Sequence, residues 1–115
     1  MMRMERAAKV YLAVGATDLR KAINGLSILA QQQMGQDPFG GGYFAFSNKG
    51  RNRIKVLYWD RNGFCLWQKR LERDRFRWPK NTAEVMELDG RQLEWLLAGL
   101  DVREAHAEVK YSRII

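Results

Sequence analysis

The sequence predicts an α+β domain built on a mostly antiparallel sheet, with a central hairpin and two main helices. Three observations carry this expectation. An Asn-Gly pair sits between two apolar runs at residues 54–71, apolar residues recur at helical spacing after a capping position at 17–18, and a capping box precedes a leucine stripe at 89–100. With 115 residues, 46% hydrophobic and 29% charged, the chain has the length and composition of one globular core. A single domain is expected over 1–103, followed by a tail, 104–115, in which the sequence shows no readable pattern.

Val10 to Val14 is a short β-branched run that ends at Gly15 and reads as a first strand. Thr17 or Asp18 then caps a helix over about 17–34, with Leu19, Ile23, Leu26 and Ala30 on one face and Gly35 placed to end it. Gly25 costs that helix roughly 1 kcal/mol relative to alanine, and close packing against a strand is the expected reason for it. Asp37-Pro38-Phe39 and Gly40 to Gly42 form a loop. It is not a phosphate-binding loop, because no Lys-Ser/Thr follows and the chain runs on into the strand-like Tyr43 to Phe46.

Ile54 to Trp59 and Phe64 to Leu71 make the central hairpin, with its turn expected at Asn62-Gly63. That turn pairs Arg61 with Phe64, Trp59 with Leu66, Leu57 with Gln68 and Lys55 with Arg70. One face then carries Lys55, Arg61 and Arg70 around Trp59, and the other carries Ile54, Val56, Tyr58, Trp67 and Leu71. After Leu71 the alternation changes phase, so a bulge or turn is expected near 72–74. Beyond it an extended segment sets Arg73, Arg75 and Arg77 on one side and Phe76 and Trp78 on the other, up to Pro79. Ala83 to Leu88 reads as a further strand. Asp89 with Gln92 starts a helix over about 90–99 whose stripe is Leu93, Leu96, Leu97 and Leu100.

The net charge is +7, and it is concentrated. Between Lys49 and Lys80 eleven basic residues stand against three acids, while the rest of the chain is close to neutral. Such a segment attracts polyanions, nucleic acid first among them. The expected contacts are Arg51, Arg53, Lys55, Arg61, Arg70, Arg73, Arg75, Arg77 and Lys80, with Trp59 either a stacking platform or a core residue. No helix-turn-helix pattern is present, so no sequence specificity is inferred.

Catalysis finds little support in the residues. Asp18 and Asp89 read as caps, Asp60 as a turn residue, and Glu72 and Asp74 as partners of nearby arginines. No carboxylate cluster for metal-assisted cleavage is therefore assigned. His106 is the only histidine and Cys65 the only cysteine, which excludes a Cys/His zinc site within one chain and an internal disulfide. No cofactor and no metal are expected. No apolar run approaches the roughly 20 residues of a membrane span, and the first residues lack the apolar middle of a secretory signal, so a cytoplasmic location is expected.

Several stretches resemble a known family: Thr17-Asp18-Leu19-Arg20-Lys21, Gly25-Leu26, Asp37-Pro38-Phe39, Lys55-Val56-Leu57-Tyr58-Trp59-Asp60, Gly63-Phe64-Cys65-Leu66-Trp67, Lys69-Arg70-Leu71-Glu72 and Phe76-Arg77-Trp78-Pro79. From about Val10 to Asp101 the chain is similar to the TnpB accessory proteins, second-reading-frame products of the IS66 class of bacterial insertion sequences. The resemblance implies a role in transposition beside a small companion protein and a separate large transposase that carries the catalytic carboxylates. It assigns no active site to this chain. Ala22 and Asn24 stand where glycine and aspartate are expected in the family, and Asp74 where glycine is common. The resulting expectation is a non-catalytic accessory protein of insertion-sequence transposition that binds DNA through residues 49–80. The alternative is a protein-protein adaptor that docks the transposase without touching DNA, and RNA binding is compatible with the same residues.

Overall fold

The computed structural model describes residues 2, 4–80 and 85–101. Five strands and two helices follow one another as β1 (Lys9–Ala13), α1 (Ile23–Gln32), β2 (Tyr43–Ser47), β3 (Arg53–Asp60), β4 (Gly63–Arg70), β5 (Val85–Asp89) and α2 (Gly90–Leu97). The strands form one sheet in the order β4-β3-β2-β1-β5. Only β1 and β2 are parallel, joined by the crossover through α1, and the other three pairings are antiparallel. The α+β class and the mostly antiparallel sheet are as the sequence predicts.

Both faces of the sheet are covered, which explains why its inner strands are apolar on both sides. Against α1, with its Leu26 and Ala30, lie Ala13, Phe44, Phe46 and Leu57, all buried. On the opposite face Val10, Leu12, Ala45, Ile54 and Val56 pack against Leu93 and Leu96 of α2 and against Phe76 and Trp78. Those two aromatics belong to residues 71–80, a strap without regular structure that leaves edge strand β4 and runs across the sheet toward β5, at the other edge. Hydrogen bonds to the sheet and its loops fasten it. Leu71 N donates to Asn52 O (2.8 Å), Phe76 N to Arg51 O (2.7 Å) and Trp78 Nε1 to Ala13 O (2.9 Å), while Gly15 N donates to Pro79 O (3.0 Å). The break of phase expected near 72–74 falls at Asp74, whose φ is +66°.

The central hairpin forms with the residues of both strands on their expected faces, but its turn lies one residue earlier and takes Arg61 out of the ladder. Asp60 pairs with Gly63, so Arg61 and Asn62 make the turn, with Arg61 at φ +52°, and Gly63 opens β4. The partners shift by two residues: Trp59 faces Phe64, Leu57 faces Leu66 and Lys55 faces Gln68. This register sets apolar against apolar along its middle and moves the like-charge opposition to the open end of the hairpin, where Arg53 instead of Lys55 faces Arg70. The ring centroids of Trp59 and Phe64 come to 5.0 Å in an edge-on contact.

Helix α1 begins at Ile23 rather than near 17. Asp18 turns the chain on itself, accepting from Arg20 N at 3.0 Å and from the Arg20 guanidinium at 2.8 Å. Downstream, the ammonium of Lys55 donates to Leu19 O (2.7 Å) and Lys21 O (3.2 Å), carbonyls that an earlier helix start would need for its own ladder. Gly35 (φ +67°) ends α1 as expected. A Cβ on Gly25 would meet the Lys21 side chain at 3.1 Å, so the close neighbour there is that lysine stem and not a strand. Helix α2 has the expected capping box, with Gln92 N donating to Asp89 Oδ1 (2.8 Å) and Asp89 N to Gln92 Oε1 (3.0 Å). It stops at Leu97, and Leu100 is exposed beyond it rather than part of its buried stripe. The proposed strand at 83–88 is found as β5, except that Ala83 and Glu84 lie outside the described residues, as do His106 and the tail 104–115.

Candidate nucleic-acid interface

The strap and the open end of the β3–β4 hairpin form one groove of about 780 Å³. Its walls carry Arg51, Lys69, Arg73, Arg75 and Arg77, opposed by a single acid, Asp74, over Leu71, Phe76 and the end of α2 at Leu97 to Gly99. Each cation has a local reason for its place. Arg51 tops the tight β2–β3 loop that Asn48 organises, its side-chain oxygen accepting from Asn52 N and Arg53 N at 3.1 Å each, and Arg51 sits at φ +55°. In the strap, Phe76 and Trp78 are buried at 1% and 3% exposure, so alternation drives Arg75 and Arg77 outward. Arg73 precedes the reversal at Asp74 and is exposed as well. Lys69 donates to Leu97 O at 3.0 Å, placing its charge on the carbonyl end of α2, where the helix dipole favours a cation.

A second, smaller cleft of about 410 Å³ opens on the α1 face of the same hairpin end, lined by Arg53, Lys55, Lys69 and Arg70 with Leu19, Gln68 and Glu72. The basic surface therefore wraps around the C-terminal end of β4. Within it Arg70 is bound to Glu72 (2.9 Å), and Lys55 is occupied with the carbonyls before α1, so Lys55 is first a structural lysine.

The sequence-derived set is only partly brought together. Arg51, Arg53, Arg70, Arg73, Arg75 and Arg77 gather at this end. Trp59 and Arg61 do not: they lie at the turn end of the hairpin, six strand residues or roughly 20 Å from Arg53. Arg61 stands apart from the other expected contacts because pairing carries the two ends of an eight-residue strand apart. Trp59 is half-buried in a ring cluster with Phe64 and Phe39, at 5.0 Å from each. Arg61 borders a hollow that holds Glu5, Asp60 and Glu94. Lys80 is exposed beyond Pro79 and lines neither cleft. Missing from that set is Lys69, which borders both clefts. Its membership of the basic segment was visible, but its contact with α2, remote in sequence, had no local signal.

Chemically the groove presents hydrogen-bond donors and fixed positive charge. Among the described residues no three of His, Cys, Asp and Glu come together as metal ligands, and no helix is long and apolar enough to cross a membrane. Asp18, whose carboxyl is held down at about 2 by its hydrogen bonds to Arg20, lies outside the groove.

An α+β domain with a concentrated cationic groove defines the class. The chain belongs to the IS66 Orf2-like protein family, whose model matches residues 8–107. It is an insertion-sequence accessory protein by that membership. Two Sinorhizobium fredii proteins (strain NBRC 101917 / NGR234) are similar along nearly their whole lengths. The protein y4hO is 33% identical over 103 residues, 90% of each chain, and y4jC is 31% identical over 101 residues, 88% of this chain and 86% of its own. No solved structure matches the chain significantly.

Proposed function

We propose that this accessory protein serves transposition by holding DNA through its phosphates, without cutting it. The observation that carries the reading is the groove itself, where five cations face one acid on a surface built by a strap that the core holds in place. Charges so arranged bind a phosphodiester backbone irrespective of sequence, and a rigid row of arginines positions it. The element's transposase supplies the chemistry, and this chain supplies affinity.

Salt dependence tests it. Three to five phosphate contacts give a slope of log affinity against log salt of about −2.7 to −4.5 on duplex DNA. Changing Arg73, Arg75 and Arg77 to glutamine flattens that slope by up to about 2.7 and weakens all sequences alike. The control changes Arg6, Lys21 and Arg61, exposed and outside the groove, to glutamine. Equal loss in both triple variants would leave net charge as the only cause. Binding to the transposase with no affinity for DNA would support the adaptor reading instead, and preference for RNA over both forms of DNA would change the ligand.

A further inference from the structure

Strand β4 is an edge of the sheet. Strand β3 pairs with one side of it, and among the described residues nothing pairs with the other. Natural sheets protect such an edge with proline, a bulge, inward charges or a covering element. Along Gly63 to Trp67 no such device is present among the described residues: Phe64 and Leu66 on the α1 face, and Cys65 and Trp67 on the other, are each only half-buried. The strand is also polar end to end. Its start adjoins the Phe39–Trp59–Phe64 rings and a turn in which Asp60 and Arg61 balance in charge, and its finish carries Lys69 and Arg70.

We propose that β4 pairs with β4 of a second copy of this chain, antiparallel about a two-fold axis normal to the sheet near Leu66 and Trp67, giving a continuous ten-stranded sheet. A two-fold axis makes the contact self-complementary and closes it at two. The antiparallel sense follows from the polarity of the strand. It brings Arg70 of each copy beside the other's Phe39–Trp59–Phe64 ring cluster, which offers aromatic faces to a cation. A parallel arrangement would stack those cations on themselves. Arg70 is free to turn toward such rings because its pair with Glu72 is exposed on both sides and holds it weakly. The same symmetry sends the two basic grooves to opposite ends of the seam, keeping the like-charged surfaces of two +7 chains apart. The half-buried apolar residues 64–67 then meet at the centre, where pairing covers them.

Eight residues per copy make a contact well below the roughly 800 Å² per partner of stable complexes, so association is weak and concentration-dependent. Sedimentation of the full chain without nucleic acid, from micromolar to near-millimolar concentration, should show a monomer–dimer equilibrium and nothing larger. Cys65 provides a second reading, as the only thiol in the chain. Symmetry centred on Leu66 sets the two Cys65 Cα atoms about 8 Å apart, and centring on Trp67 sets them about 14 Å apart. A bis-maleimide of matching reach should therefore give a covalent dimer. Leu66→Lys buries a charge at the centre from both copies and should return the folded protein to monomer. If that variant does not fold, amide exchange of the unaltered chain decides, because the outward-pointing amides of residues 63–70 should gain protection as concentration rises. A monomer throughout, no cross-linked dimer, or concentration-independent exchange in β4 overturns the proposal. So does a folded Leu66→Lys variant that still dimerises.

Discussion

Replacing Trp78 with phenylalanine probes the hold of the strap on the sheet. Trp78 is 3% exposed, and its Nε1 donates to Ala13 O at 2.9 Å, a buried side-chain hydrogen bond that fastens the strap to β1. Phenylalanine keeps an aromatic ring but leaves the Ala13 carbonyl without that donor, at a cost of about 1–3 kcal/mol. The smaller ring also leaves a void, adding about 1 kcal/mol. The sum, about 2–4 kcal/mol, lowers the melting temperature by roughly 10–25 °C for a domain of this size. Urea denaturation followed by far-ultraviolet circular dichroism measures it. Under conditions where the variant remains folded, a loosened strap should also flatten the salt dependence of DNA binding, because Arg75 and Arg77 depend on Phe76 and Trp78 for their direction. A stability loss under about 0.5 kcal/mol would refute the view that this bond holds the strap down, since even one orphaned buried acceptor exceeds that.

Two further outcomes separate structure from binding. Lys55→Met removes the donor to Leu19 O and Lys21 O, so it should destabilise the domain by about 1–2 kcal/mol in the same denaturation assay while changing DNA affinity less than Arg73→Gln does. The Asp18 carboxyl should titrate at about 2 by carbon-detected NMR, and Arg20→Gln should move it back toward 3.8. The sign follows from the lowered value: the stabilisation is complete above about 3.8 and is lost as pH falls through about 2, so pH changes near neutrality leave this pair untouched.

Local chemistry made much of the fold readable. The Asp89 box with Gln92, the left-handed glycine at 35 and the apolar alternation on both sides of the hairpin each express a preference held within a few residues, and each appears in the structure. The misreadings have long-range causes. Thr17 and Asp18 look like a helix start, but an ammonium from β3, more than thirty residues away, occupies the carbonyls that the helix would use. The Asn-Gly pair favours a turn at 62–63, yet tertiary packing of Leu57 on Leu66 and of Trp59 on Phe64 draws the turn to 61–62. For the candidate site, the arginine alternation was legible from residue 73 onward because Phe76 and Trp78 demand burial. Periodicity gives the face of a side chain but not its tertiary neighbours: Arg61 lies a strand's length from the arginine row, and Lys69 reaches α2, remote in sequence.

The groove has no single owner in the chain. It needs the loop at Arg51, the end of β4, the strap, and the last turn of α2, whose Leu97 carbonyl takes the Lys69 ammonium. The hairpin is local and folds on the microsecond scale of such elements, whereas β5 and α2 must first find β1, more than seventy residues upstream. During synthesis the arginines therefore leave the ribosome well before the surface they belong to exists. An emerging chain, surrounded by messenger and ribosomal RNA, carries its positive charge unarranged until α2 has docked and the groove is complete.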